Sequence, residues 1–316
     1  MSTALPQFPD EQSEDGRFVR QDDAFRDWVT ADGRSGYPVE AGRYHLYVSL
    51  ACPWAHRTII VRTLKGLEDA IGMTIVDPIR DELGWAFRDV PGASPRDPVN
   101  GFAYLAEAYR ATDPHYRGRV TVPVLWDTRT KRIVSNSDDD VMRMFETEFD
   151  ALAKHPELDL YPRPLRAEID GLNARIYDEL NNGVYKAGFA TGQRAYEHAA
   201  REVFAMLDEL DARLATRRYL FGKAPVETDW RTFVTLIRFD PVYVGHFKCN
   251  LRRIADYPNL SGYLRDLYQT GGVAETVNFD HIKRHYYATH DEINPTRIVP
   301  IGPAQDLSAP HGREAL

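Results

Sequence analysis

Ser49-Leu50-Ala51-Cys52-Pro53-Trp54-Ala55-His56-Arg57 joins a run of strand character, Arg43-Tyr44-His45-Leu46-Tyr47-Val48, to a helical run from Arg57 to Lys65. Cys52 therefore falls where a strand ends and a helix begins. Backbone N–H groups at a helix start carry partial positive charge and favour an anion there. A thiol in that place is expected to ionise more easily than a free one, whose pKa is about 8.5. Pro53 suits a first helical turn, because its missing N–H would have no partner inside the helix. Position 55, where a dithiol motif would carry its second Cys, holds Ala55. A catalytic cycle through Cys52 would thus need a thiol from outside. The competing reading is a buried Cys acting as a small apolar residue.

The chain has 316 residues, which suggests about two domains. Its apolar fraction of 43% suffices for ordinary cores. A net charge of −8 argues against nucleic acid or an anionic membrane surface as the main partner. Two Cys make no disulfide framework. Met1-Ser2-Thr3-Ala4-Leu5-Pro6 has neither the basic start nor the apolar core of a signal peptide, and no apolar run approaches the roughly 20 residues that span a bilayer. The expectation is a soluble protein of the reducing cytoplasm.

Residues 1–42 are polar, with irregularly spaced Phe8, Phe18, Phe25 and Trp28, and read as an N-terminal arm lying on a domain. Residues 43–150 hold the Cys52 strand and helix and then a second strand, Ile71–Val76. A Gly/Pro/Asp-rich loop over 81–98 carries Trp85, and a helix with Phe102, Leu105, Ala106 and Tyr109 on one side follows. A hairpin is expected from Arg119–Asp127 and Arg132–Val134, turning at Thr128–Lys131. Asn136 or Ser137 would cap a helix through Val141, Met142, Met144 and Phe145. This order predicts an α/β thioredoxin-like domain, and Val122-Pro123 fits the cis-Pro that faces the active Cys in such folds. Residues 151–164, with Tyr161-Pro162-Arg163-Pro164, read as a linker. Residues 165–316 are helical in pattern, with one face formed by Ile169, Leu172, Ile176 and Leu180 and another by Val203, Met206, Leu207 and Leu210. The second domain is predicted to be all-α, with a C-terminal tail.

Longer motifs carry a resemblance. They are Cys52-Pro53-Trp54-Ala55, Gly84-Trp85, Asp113-Pro114-His115-Tyr116, Arg119 through Asp127 and Ile133-Val134-Ser135-Asn136. In the helical half they continue through Asn181 to Ala190, Arg238 to Tyr243, Phe247-Lys248-Cys249, Thr276 to Ile282 and Ile293-Asn294-Pro295-Thr296. The chain resembles the glutathionyl-hydroquinone reductases, the xi class of the glutathione transferases, from about Tyr37 to Arg313. The resemblance implies a glutathione-transferase fold and an oxidoreductase that removes the thiol carrier from thiol-conjugated hydroquinones. Cys52 occupies the nucleophile position and would pass through a mixed disulfide. Tyr185, Tyr243 and Tyr286 match the tyrosines around the aromatic substrate, and phenols can donate to hydroquinone oxygens and bound a slot for a flat ring. Trp85, Arg119 and Val122 match positions that hold the thiol, Val122 through its backbone and Arg119 through a carboxylate. No tightly bound cofactor is implied, only a low-molecular-weight thiol co-substrate. A homodimer is expected by resemblance.

The chain departs from the family after Ser135-Asn136. The pattern calls for Glu-Ser, which grips the γ-glutamyl end of glutathione; here Ser137-Asp138 stand there, followed by Asp139 and Asp140. A second carboxylate against that of glutathione would repel it. Asp at a helix start also suits the macrodipole. The thiol is therefore read as either glutathione or a hydroxyl-rich sugar thiol such as mycothiol. Where transferases carry a Ser/Thr cap three residues before an Asp, this chain has Val226 before Asp229, and Thr228 is expected to take over the cap.

His281, His285 and His290 could suggest a metal, but no His-Glu-x-x-His accompanies them, and a packing role is expected instead. Cys249 reads as a structural thiol. Rival readings are a broader Cys-dependent deglutathionylase, a dehalogenating transferase, and a binding protein that kept the fold and lost turnover.

Overall fold

The structure is a computed structural model that describes residues 8–316; the first seven residues of the expected arm lie outside it. It divides into two units, each built on its own core. The sheet unit holds Asp22–Asp159 and Gly271–His285. The helical unit holds the described residues up to Gln21 with Leu160–Thr270 and Tyr286–Leu316.

In the sheet unit the order is β1 (Tyr44–Val48), α1 (Pro53–Leu64), β2 (Gly72–Ile75), α2 (Ala106–Thr112), β3 (Val124–Asp127), β4 (Arg132–Ser135) and α3 (Asp138–Thr147). The strands lie β2-β1-β3-β4, with β1 parallel to β2 and antiparallel to β3, and β3 antiparallel to β4. This is the thioredoxin-like order that the sequence predicts. Every residue of β1 and of β3 is buried, as in a sheet covered on both faces. α1 begins with Pro53 at its first position and ends in a Schellman closure, with Leu67 N–H on Arg62 O at 2.8 Å and Gly66 N–H on Thr63 O at 3.0 Å. Gly66 takes φ of 65°, and a Cβ there would meet Lys154 Cβ at 2.6 Å, so glycine is required twice over.

The expected strand from Arg119 is shorter than its apolar pattern suggests. Pairing starts only at Val124, after a cis Val122–Pro123 bond, because Pro123 has no N–H to give a ladder. The arm makes up part of the difference at the other edge. Arg26 bridges Ser135, Asp27 N–H donates to Val134 O at 3.0 Å, and Asn136 N–H donates to Phe25 O at 3.0 Å. The arm thereby covers the edge of β4 that would otherwise be open to pairing.

The helical unit contains α4 (Arg166–Ile176), α5 (Gly183–Gly188), α6 (Gln193–Leu214), α7 (Glu227–Arg238), α8 (Leu260–Tyr268) and the end of α9 (Phe279–Thr289). Ile169, Leu172, Ile176 and Leu180 are buried, as are Val203, Met206, Leu207 and Leu210, so both predicted faces point into the core. Two π-helical turns, Tyr177–Asn181 and Phe239–Tyr243, extend α4 and α7. Such turns bulge a helix and are frequent at functional sites.

The start of α7 differs from the expected cap. Thr228 lies inside α7 and does not cap it; the residue before the helix is Val226. Its N–H is taken instead by Asp229, whose Oδ2 accepts it at 2.8 Å, while Oδ1 accepts Leu220 N–H at 2.9 Å and the Tyr263 O–H at 2.7 Å. The carboxylate alone therefore serves the helix start, which removes the need for a hydroxyl.

Candidate active site

Cys52, Trp85, Arg119, Val122, Ser137 and Asp138 fall in the sheet unit; Tyr185, Tyr243 and Tyr286 fall in the helical unit.

The residue that caps α1 is Cys52, extended at φ −78° and ψ 123°, and its carbonyl accepts His56 N–H at 3.0 Å. The residue is 9% exposed, and its thiol donates to Val122 O at 3.5 Å. The sheet's end and the cis bond thus bring the Cys52 sulfur to the backbone before Pro123. Arg119 leads into this segment: its carbonyl accepts the Tyr116 hydroxyl at 2.7 Å, and Thr121 O accepts that of Tyr109 at 2.9 Å. Two phenols therefore pin the 119–122 backbone outside any ladder.

Trp85 is nearly buried and stacks on His285, with ring centroids 4.9 Å apart and planes 21° apart. The Arg80 guanidinium lies 5.4 Å from the Trp85 ring centroid. Since a carbonyl only accepts, the 2.7 Å contact of His285 Nδ1 with Pro78 O makes that nitrogen the donor and fixes the ring. His281 Nε2 donates likewise to Pro91 O at 2.7 Å. In the helical unit, His246 Nε2 and His290 Nδ1 share a hydrogen bond of 3.1 Å. These histidines hold backbone and each other; among the described residues no group of three His, Cys, Asp or Glu is placed to hold a metal ion.

The acidic start of α3 is more tightly held than its sequence suggests. Ser137 is the N-cap and its Oγ accepts Asp140 N–H at 3.4 Å. Arg57 Nη1 lies 2.7 Å from Asp138 Oδ2 and 3.2 Å from Asp139 Oδ1. Arg26 of the arm forms a two-pronged pair with Asp140, both contacts at 2.7 Å. The carboxylates expected to repel an incoming anion are thus offset by two guanidinium groups.

In the helical unit the three predicted tyrosines meet. The Tyr185 and Tyr286 hydroxyls are hydrogen-bonded, and Tyr286 and Tyr243 hydroxyls are 3.2 Å apart. Tyr243 comes from the second π turn, Tyr185 from α5 just past the first, and Tyr286 from α9. Burial pushes Tyr243 and Tyr286 well above the usual phenol range, and the buried Arg238 guanidinium opposes this in both. Phe247 packs on all three rings at centroid distances of 5.4, 5.4 and 5.6 Å. Beside this cluster a cavity of about 410 Å³ opens between arm residues 17–20, the first π turn and α6. Cys249 is fully buried, and burial pushes its thiol up to about 12.

Arg57, His285 and Arg20 take part in these clusters, and sequence reasoning missed them as site residues. His285 was visible only as half of a histidine pair. Arg57 and Arg20 carried no signal, because their partners lie far along the chain.

Residues 51–148 match the family model described as Glutathione S-transferase, N-terminal domain, and residues 193–266 match Glutathione S-transferase, C-terminal domain. Glutathionyl-hydroquinone reductase YqjG of Escherichia coli is 54% identical over 312 residues, covering 96% of this chain and 94% of that protein. Glutathionyl-hydroquinone reductase PcpF of Sphingobium chlorophenolicum is 49% identical over 298 residues, covering 94% and 93%. The glutathione-bound structure of YqjG superposes with a TM-score of 0.89 at 55% identity, covering 92% of this chain and 96% of that one. A Xi class transferase from Natrialba magadii gives 0.90 at 52% identity, covering 92% and 89%. This chain belongs to the glutathionyl-hydroquinone reductases, the xi class of the glutathione transferase superfamily.

Proposed function

We propose that this protein is an oxidoreductase that removes glutathione from glutathionyl-hydroquinones, with Cys52 as nucleophile. The observation that carries the reading is the Cys52 thiol at the start of α1, aimed at the carbonyl before Pro123. A peptide thiol laid along Val122 would pair with that backbone and bring its sulfur to Cys52. Trp85 and Arg119 would flank the peptide, Arg119 meeting a carboxylate.

The Cys52 thiolate attacks the glutathione sulfur; an S–S bond forms, and the sulfur–aryl bond breaks with its electron pair going to the aromatic carbon. That carbon takes a proton from a phenol of Tyr185, Tyr243 or Tyr286, acting as general acid, and the free hydroquinone leaves. A second glutathione gives up its proton to the phenolate left by the first step and attacks the mixed disulfide. Glutathione disulfide departs, and the Cys52 thiolate returns. Ala55 in place of a second Cys requires this external thiol.

A second reading of the thiol rests on Ser137 and Asp138. An Asp carboxylate at that place offers acceptors to a hydroxyl-rich carrier such as mycothiol, while Arg57 beside it leaves room for the glutathione reading. A homodimer in a reducing cytoplasm goes with either thiol. No helix of the described residues is long and apolar enough to cross a membrane.

The test is turnover. Wild-type protein with glutathione should release hydroquinone from its glutathionyl conjugate, and Cys52→Ala should lose at least about a thousandfold in kcat. Equal turnover by Cys52→Ala would remove Cys52 from the chemistry. Parallel assays with the mycothiol conjugate decide the carrier.

A further inference from the structure

The reaction above leaves a charge to be accounted for. The Cys52 thiolate loses its negative charge to the new S–S bond, and the phenol that protonates the aromatic carbon gains one. A phenolate among buried rings is strongly disfavoured unless a cation or donors meet it. The three hydroxyls supply the donors to one another.

A cation stands at one end of that chain. Arg20, from the N-terminal arm, places its guanidinium carbon 4.8 Å from the Tyr185 ring centroid. Its Nε donates to Asn182 Oδ1 at 2.9 Å, which orients the guanidinium. Asn182 follows the first π turn, three residues before Tyr185, so the anchor and the ring belong to one local piece of chain. Phe18 lies on the same cation at 5.3 Å and fixes the arm against the helical unit. A guanidinium over an aromatic face is attracted to its π density, and more so when the ring carries the charge of a phenolate.

We propose that Arg20 is a positioning residue for catalysis, the counter-ion that lets the Tyr185–Tyr286–Tyr243 chain hold a negative charge between the two halves of the reaction. This rests on the function proposed above. In the first half, Arg20 makes the phenol at its end the readiest proton donor. In the second half, the tyrosinate takes the proton of the incoming thiol and so generates the thiolate that attacks the mixed disulfide. The arm thereby has a chemical role beside its packing. Arg238, one residue before the π turn that carries Tyr243, is the second cation and acts on Tyr243 and Tyr286 in the same direction. His246 and His290 pack on Tyr286; burial lowers His246 to about 4, so it brings no charge near neutrality.

The experiment compares wild type with Arg20→Ala and Arg20→Lys. Each is assayed for hydroquinone release across pH, and each is titrated without substrate by the near-ultraviolet absorbance of tyrosinate. The expected result for Arg20→Ala is a kcat lowered about tenfold with KM within about twofold, and the alkaline fall of kcat moved up by about one pH unit. One tyrosine should titrate correspondingly higher in the absorbance, and Arg20→Lys should recover part of both. An unmoved absorbance titration and pH profile, with any loss confined to KM or thermal stability, would reduce Arg20 to an arm anchor and overturn the proposal. The absorbance titration needs no turnover. If wild type fails to release hydroquinone, the parent reading falls, and the titration alone still upholds or refutes the Arg20–Tyr185 coupling.

Discussion

The Arg57 guanidinium lies 2.7 Å from the Asp138 carboxylate, five residues past Cys52 on the helix that Cys52 caps. Arg57 is 1% exposed on its side chain, and it also stacks over Trp54 at 4.8 Å. A buried guanidinium needs a paired anion, so Asp138 does structural work beside Asp139. This changes what the altered Ser137-Asp138 pair means for the thiol. Asp138→Ser should release Arg57 toward an incoming carboxylate. The expected result is a KM for the glutathionyl conjugate lowered several-fold, with kcat within about twofold. Under the mycothiol reading, the same variant should raise KM for the mycothiol conjugate. Steady-state kinetics on the two conjugates checks both.

Tyr286 is the middle hydroxyl, bonded to Tyr185 on one side and Tyr243 on the other. Tyr286→Phe interrupts the chain while keeping the ring. We expect kcat for hydroquinone release to fall about a hundredfold, the lower range for loss of general acid catalysis. Cys52 should still exchange normally with a simple glutathione disulfide, since no aryl group leaves in that reaction. Paired assays on the two substrates check this; an equal loss on both would point to a damaged fold.

The sequence went far in the sheet unit, and the reason is local chemistry. Strand, Cys-Pro and helix signals around Cys52 are short-range, and so is the Ser137 cap. Val122–Pro123 was legible because a proline at a strand start has few places to go. The π turns were not legible: Tyr177–Asn181 has the composition of ordinary helix, and Pro241 within Phe239–Tyr243 marks a break in a helix without specifying a π turn. Their bulge depends on what packs around them. The three tyrosines could be named only through resemblance, since Tyr185, Tyr243 and Tyr286 lie as much as 101 residues apart. Arg57–Asp138 and Arg20–Asn182 span 81 and 162 residues, and nothing in either segment announces its partner. The Thr228 expectation failed because a local cap rule was applied where Asp229 alone already met the helix start.

Asp229 offers a pH test of the helical unit. Burial is the largest influence and raises its carboxyl from 3.8 to about 6, against the three hydrogen bonds it accepts. With the folded value above the unfolded one, the folded state holds the proton more tightly. Stability from this group is fully present below about pH 4 and is lost as pH rises through about 6. The shift of about two pH units corresponds to ~3 kcal/mol. Asp229→Asn cannot ionise, so its stability relative to wild type should improve by that order between pH 4 and 7. Urea unfolding of both proteins across that range checks it; a constant difference would mean that Asp229 stays charged throughout.

The two thiols should differ sharply in reactivity. Cys249 is fully buried with its thiol pushed up to about 12, whereas Cys52 sits at a helix start and keeps 9% of its surface exposed. Iodoacetamide on the native protein should label Cys52 alone, and both should label after denaturation. Peptide mapping of the alkylated protein reads the two sites, and native labelling of Cys249 at a comparable rate would contradict the assignment.

The most direct measurement is intact-protein mass spectrometry after mixing the reduced enzyme with a glutathionyl-hydroquinone in the absence of free thiol. The account predicts an adduct of one glutathione per chain, mapped to Cys52, formed together with free hydroquinone and removed by added glutathione. The same incubation with Cys52→Ala should give no adduct. Hydroquinone release without an adduct, or an adduct that persists in Cys52→Ala, would contradict the mixed disulfide at the centre of the mechanism.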